Sequence, residues 1–111
     1  MSVDSGLPDF ASDQGIIKRI IRDNKNMDYR DIINPKYFEA HPEKFWYIYG
    51  DRYNRYRQAK PHQGYQLLKE MCVGDKKGEY YVYTSNVDNM WRKAGFPQDK
   101  IYELHGNIFN L

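Results

Sequence analysis

Apolar side chains recur at helical spacing in three stretches of the chain, and two further stretches have the composition of strands. Ile16, Ile17, Ile20 and Ile21 share one helical face and predict a short amphipathic helix over residues 14–22. It follows Ser5-Gly6-Leu7-Pro8-Asp9-Phe10, whose Gly and Pro mark a constrained loop. Residues 23–34 are mostly polar, and Pro35 and Pro42 cut the next part into short pieces. Phe45, Tyr49, Tyr53 and Tyr56 then form one stripe of a helix over residues 42–58, with Pro42 at its first turn. A second helix follows Pro61, with Tyr65, Leu68 and Cys72 on its apolar face and Leu67 and Met71 beside them.

Beyond a turn at residues 74–78, the run Glu79-Tyr80-Tyr81-Val82-Tyr83-Thr84 is rich in β-branched and aromatic residues and predicts a buried strand. Residues 87–94 fit a short helix that Gly95 and Pro97 end, and residues 100–104 read as another strand. Helix, strand, helix and strand in this order predict a βαβ unit of an α/β fold: a Rossmann-like, doubly wound parallel sheet with flanking helices.

A chain of 111 residues is expected to form one domain at most. Apolar residues make up 41% and charged residues 29%, a globular balance, and 11 tyrosines supply much of the core. A net charge of +2, with both signs evenly mixed, gives no reason to expect nucleic acid or an anionic membrane as partner. The aromatic and basic residues interleaved around Phe45, Trp46, Arg52, Arg55 and Arg57 could suggest single-stranded nucleic acid, but their helical period favours packing. The single cysteine, Cys72, excludes an internal disulfide and a four-thiolate zinc site within these residues, and reads as a small buried hydrophobe. No apolar run reaches the ~20 residues of a membrane span and no leader pattern opens the chain, so a cytoplasmic or nuclear protein is expected.

Three separated pieces resemble the sirtuins, in the right order. Ser5-Gly6-Leu7-Pro8-Asp9-Phe10 resembles the S-G-I-P-D-F-R cofactor loop, Thr84-Ser85-Asn86-Val87-Asp88 resembles T-Q-N-I-D, and Glu103-Leu104-His105-Gly106 resembles E-x-H-G. Lys93-Ala94-Gly95 is similar to the family's R-A-G, and residues 59–65 stand where the family has a Pro-Asn-containing helix start. The resemblance runs over residues 1–111 and implies a partial catalytic domain. In it the opening strand and its glycine-rich phosphate loop, the zinc module and the C-terminal strands are absent. Ala11 stands where the family loop has Arg, and Ser85 where it has Gln, as in a Thr-Ser-Asn-Val-Asp sub-branch.

The resemblance also implies a chemistry. A sirtuin is an NAD-dependent protein-lysine deacylase that moves the acyl group to ADP-ribose as nicotinamide leaves. His105 would be the base, and Asp9, Phe10, Ser85, Asn86, Val87 and Asp88 would line the NAD site. The partner would be an acylated protein lysine, and zinc would be expected only in a complete family member. A neutral imidazole suits the base role at neutral pH. A non-catalytic NAD- or ADP-ribose-binding remnant, or a sirtuin-like NAD hydrolase or ADP-ribosyltransferase, are the other readings. Taken singly, His105 could be a packing residue at a strand end, and Asn86 and Asp88 turn and N-cap residues. His41 and His62 are expected at the surface or as caps.

Overall fold

The computed structural model describes residues 1–9, 16–23, 30, 34–73 and 79–110. The turn expected at 74–78, the loop position Phe10 and the Ala11 substitution lie outside these residues. The chain divides into two compact units, one of residues 8–57 and one of residues 1–7 with 58–111.

The unit of residues 8–57 is helical among its described residues. Helix α1 spans Ile16–Asp23, close to the 14–22 expected. Helix α2, Pro35–Ala40, begins because Asn34 Oδ1 accepts the Lys36 amide at 3.0 Å and Pro35 fits a first turn that needs no amide. Helix α3 spans Pro42–Gln58, the bounds the sequence predicted. Glu43 in its first turn and Arg55 and Arg57 in its last complement the helix dipole. Its buried residues are Ile48 and Tyr56, whereas Phe45 and Tyr49 are half-buried and Tyr53 is exposed. The expected tyrosine stripe is thus only partly the buried face. Phe45 stacks on Tyr49 at 4.4 Å and meets Phe38 of α2 edge-on at 5.1 Å, which ties α2 to α3.

The other unit carries the sheet. Helix α4 spans Gln63–Cys72, with His62 as its cap: Nδ1 accepts the Gly64 amide at 2.9 Å. Strands β1, Val82–Thr84, and β2, Ile101–Glu103, pair in parallel, Val82 opposite Ile101 and Thr84 opposite Glu103. Between them lies α5, Met90–Lys93, which stops where Gly95 turns left-handed at φ 81. Parallel strands need a crossover of this kind, so the βαβ expectation holds.

Val82, Phe96 and Ile101 form the buried cluster, with Leu68, Val73, Tyr80, Trp91 and Ala94 packed against it. Tyr65 and Met90 are fully buried, and Tyr65 meets Trp91 edge-on at 4.9 Å. The strand expected to be buried is buried on one face only. Val82 and Thr84 point inward, while Tyr81 and Tyr83 are exposed, Tyr83 stacking on Tyr102 at 5.3 Å. Cys72 is half-buried rather than buried.

Candidate functional site

The parallel register decides where the candidate side chains can gather. Both strands run the same way, so the residues after Thr84 and after Glu103 leave at one carboxyl edge. The Leu104 amide still donates to the Thr84 carbonyl at 2.9 Å, which carries the pairing one step past β2. Ser85, Asn86, Val87 and Asp88 leave β1 there, and His105 leaves β2 there. Asp9 is exposed and belongs to the other unit, and Phe10 lies outside the described residues.

Asp88 is the most constrained of these groups. It is 3% exposed. Its Oδ1 accepts the Met90 amide at 3.1 Å, a local bond at the start of α5 made from the residue before the N-cap position, which is Asn89. Its Oδ2 accepts the Ser2 hydroxyl at 2.5 Å, and the same Ser2 oxygen accepts Asn86 Nδ2 at 3.0 Å. A carboxylate has about four acceptor positions, so two holding bonds leave Asp88 able to accept further donors. Holding the start of α5 and binding a ligand are compatible roles for Asp88, because each oxygen does a different job.

Two more buried polar atoms lie in this unit without a hydrogen-bond partner among the described residues. Tyr65 Oη and His62 Nε2 are buried and make no hydrogen bond among the described residues. The Ser2 hydroxyl is close enough to the Tyr65 phenol to act against the upward shift of its pKa, and His62 Nε2 is 4.0 Å from Asp4 Oδ2. Burial first, and then the charge of Asp88, push the Tyr65 phenol up to about 12. Buried polar atoms of this kind normally have a partner, so the cluster has unspent capacity to bond a polar ligand or water.

His105 is exposed. It sits in a turn in which the Gly106 amide donates to the Glu103 carbonyl at 3.1 Å and Gly106 takes φ 69. Thr84 Oγ1 accepts the Asn86 amide at 3.1 Å and shapes the opposite turn. His41, in the other unit, is exposed and ends α2, its amide donating to the Tyr37 carbonyl. Both remaining histidines are therefore caps.

Ser2 and Tyr65 were not picked out from the sequence. Ser2 precedes the loop motif, and its link to Asp88 spans 86 positions, a distance no local pattern reports. Tyr65 looked like any apolar helix-face residue. A groove of about 210 Å³ lined by Leu68, Cys72, residues 80–83, Trp91 and Phe96 contains none of the candidate groups. Among the described residues no group of three or more His, Cys, Asp or Glu could hold a metal, and no helix is long and apolar enough to cross a membrane.

A parallel β–α–β unit with a buried carboxylate, a carboxamide and an imidazole at one strand edge defines an α/β protein with its candidate groups outside the carboxyl ends of the strands, where open parallel sheets bind ligands. Residues 1–111 match the sequence pattern of the Sir2 family. This chain belongs to that family. It is 32% identical over 111 residues to an NAD-dependent protein deacylase of Candida albicans, covering 100% of this chain and 34% of the relative. It is also 32% identical over 111 residues to an NAD-dependent protein deacetylase of Bacillus subtilis, covering 97% and 40%. A solved triple mutant of a Sir2 homologue in complex with 2′-O-acetyl ADP ribose superposes with a TM-score of 0.69 at 28% identity, covering 96% of this chain and 38% of that one. The fold is therefore the Rossmann-like α/β fold of the sirtuins. The chain spans about 34 to 42% of the length of the curated relatives it matches.

Proposed function

We propose that residues 1–111 are part of a sirtuin-type catalytic domain, an NAD-dependent protein-lysine deacylase whose partner is an acylated protein lysine. One observation carries the reading. The parallel register brings Asn86, Asp88 and His105 to the same edge, with Asp88 already held in place by Ser2.

These side chains suit the nicotinamide and ribose end of NAD. Asp88 offers unused acceptor positions to amide and hydroxyl donors, Asn86 a carboxamide, and Tyr65 and His62 polar atoms without a hydrogen-bond partner among the described residues. NAD, when bound, supplies a ribose carbon that becomes electrophilic as nicotinamide leaves. Asp88 orients the ring amide, an effect of placement that its fixed hydrogen bonds make inexpensive at the moment of reaction. His105 takes a proton from a ribose hydroxyl, and its exposure lets it return that proton to solvent. Ser85 and Val87 line the same edge.

Calorimetry with NAD and product analysis with an acetyl-lysine peptide test the proposal on the complete catalytic domain that contains residues 1–111. Acyl-ADP-ribose formation, lost in His105→Ala and with NAD binding weakened in Asp88→Asn, is the expected result. Undiminished turnover in His105→Ala would remove the base assignment. Free ADP-ribose or labelled protein as sole product would replace deacylation by the hydrolase or transferase chemistry, and binding without turnover would leave a binding module.

A further inference from the structure

The residues on either side of His105 are joined through their side chains. Glu103, 8% exposed, accepts Arg92 Nη2 at Oε2 at 3.0 Å, Arg92 being 27% exposed. Asn107 is buried and donates from Nδ2 to Glu103 Oε1 at 3.3 Å and Oε2 at 3.2 Å. The turn of residues 103–107, with His105 at its centre, is thus closed at its base. Hydrogen bonds to a buried carboxylate are stronger than neutral ones, so this closure is stiff.

The same Asn107 amide reaches across to the other turn. Its Nδ2 donates to Asn89 Oδ1 at 3.1 Å, while its Oδ1 accepts the Phe109 amide at 2.9 Å. A backbone bond runs alongside, from the Ile108 amide to the Val87 carbonyl at 3.0 Å. Asn89 follows Asp88 directly and takes φ 61, the one left-handed non-glycine conformation among the described residues. Glycine would sit there more easily, but it has no carboxamide to offer Asn107. A strained residue that supplies the bridging group is what a spacing device requires.

We propose that Arg92, Glu103, Asn107 and Asn89 are positioning residues that fix the separation of Asp88 and His105. The proposal rests on reading those two as site residues. None of the four touches the reacting atoms. They act because a base must stand within hydrogen-bond reach of its proton, and a displacement of about 1 Å can cost on the order of a hundredfold in rate. The exposed His105 turn has no other side-chain brace among the described residues.

The deciding variant is Asn89→Gly, which removes the carboxamide at a backbone angle glycine adopts freely, so the fold tolerates it. In labelled residues 1–111, hydrogen exchange of the Ile108 amide is expected to quicken by about tenfold, as for loss of one local bond. The His105 imidazole and Asp88 amide resonances shift with it, and the Val82 and Phe96 amides do not. Asn107→Ala gives a larger shift of the same pattern, because it also frees Glu103 and the Phe109 amide, and adding Asn89→Gly to it changes nothing further, as for two ends of one link. In turnover, Asn89→Gly lowers kcat by about tenfold or more while KM for NAD changes little. The proposal fails if a folded Asn89→Gly protein leaves the Ile108 exchange and the His105 resonance unmoved, or if the two substitutions are additive. Should Asn107→Ala not fold, Asn89→Gly decides alone. The resonance and exchange readouts need no NAD, so failure of deacylation counts against the enzymatic reading and leaves the brace to be judged separately.

Discussion

The two turns that leave the carboxyl edge treat their functional side chains in opposite ways. After β1, Asp88 is buried with both oxygens hydrogen-bonded, one to Met90 and one to Ser2. After β2, His105 is exposed, and only its neighbours Glu103 and Asn107 are tied down. A carboxylate that orients a ligand gains from partners that hold it still. An imidazole that exchanges protons must stay reachable, so its stiffness has to come from the residues around it. Damage should therefore separate: after β1, stability and binding fall together, and after β2 the chemistry falls alone.

The largest expected effect lies at His105. His105→Ala should lower deacylation by about 10²–10⁴-fold, the usual worth of a general base, while the urea midpoint stays nearly unchanged. A large loss of stability there would erase the contrast between the turns. Asp88→Ala should instead cost about 2 kcal/mol of folding free energy by urea titration, from the lost bond to the Met90 amide and the unpaired Ser2 hydroxyl, and weaken NAD binding as well.

Tyr65 sharpens the contrast through pH. Burial and Asp88 raise its phenol from 10.0 in an unconstrained tyrosine to about 12, so the unfolded chain loses this proton first. The stabilisation is complete below pH 10.0 and disappears as pH climbs toward about 12, on the order of 2 kcal/mol in all. Urea midpoints taken through that window should fall more steeply for the parent chain than for Tyr65→Phe. At pH 7 the phenylalanine variant should be about as stable, since the hydroxyl it removes makes no well-formed hydrogen bond among the described residues. The smallest effect is expected from Gly106→Ala, about 1 kcal/mol, because φ 69 disfavours a Cβ although the space around it is open. Its thermal midpoint checks the strain alone.

Much of the fold was legible locally. Helix α3 matches its predicted bounds because Pro42 suits a helix start and the residues to Gln58 keep a helical period. The strands were located but drawn too long: residues 79–84 and 100–104 have strand composition, yet only three residues of each find a partner. The helix expected over residues 87–94 shrank to Met90–Lys93, because Asp88 bonds the Met90 amide and Asn89 turns left-handed. On α3 the periodicity showed that a face would be buried but not which neighbours would choose it, so Ile48 was passed over for Phe45 and Tyr49.

The candidate site divides in the same way. Ordered motifs named Asn86, Asp88 and His105, because each lies within a few residues of a strand end and local sequence records that. Ser2, Tyr65, Arg92 and Asn107 came only from the folded chain. The amino-acid order by itself determined the bounds of α3, the approximate strand positions and the family these residues belong to, since all three are written in short-range spacing. The tertiary structure alone decided that Asp88 would be buried against Ser2 and that Asn89 and Asn107 would join the two turns. Those contacts bridge 86 and 18 positions, and a hydrogen bond between distant residues exists only once the sheet has brought its ends together.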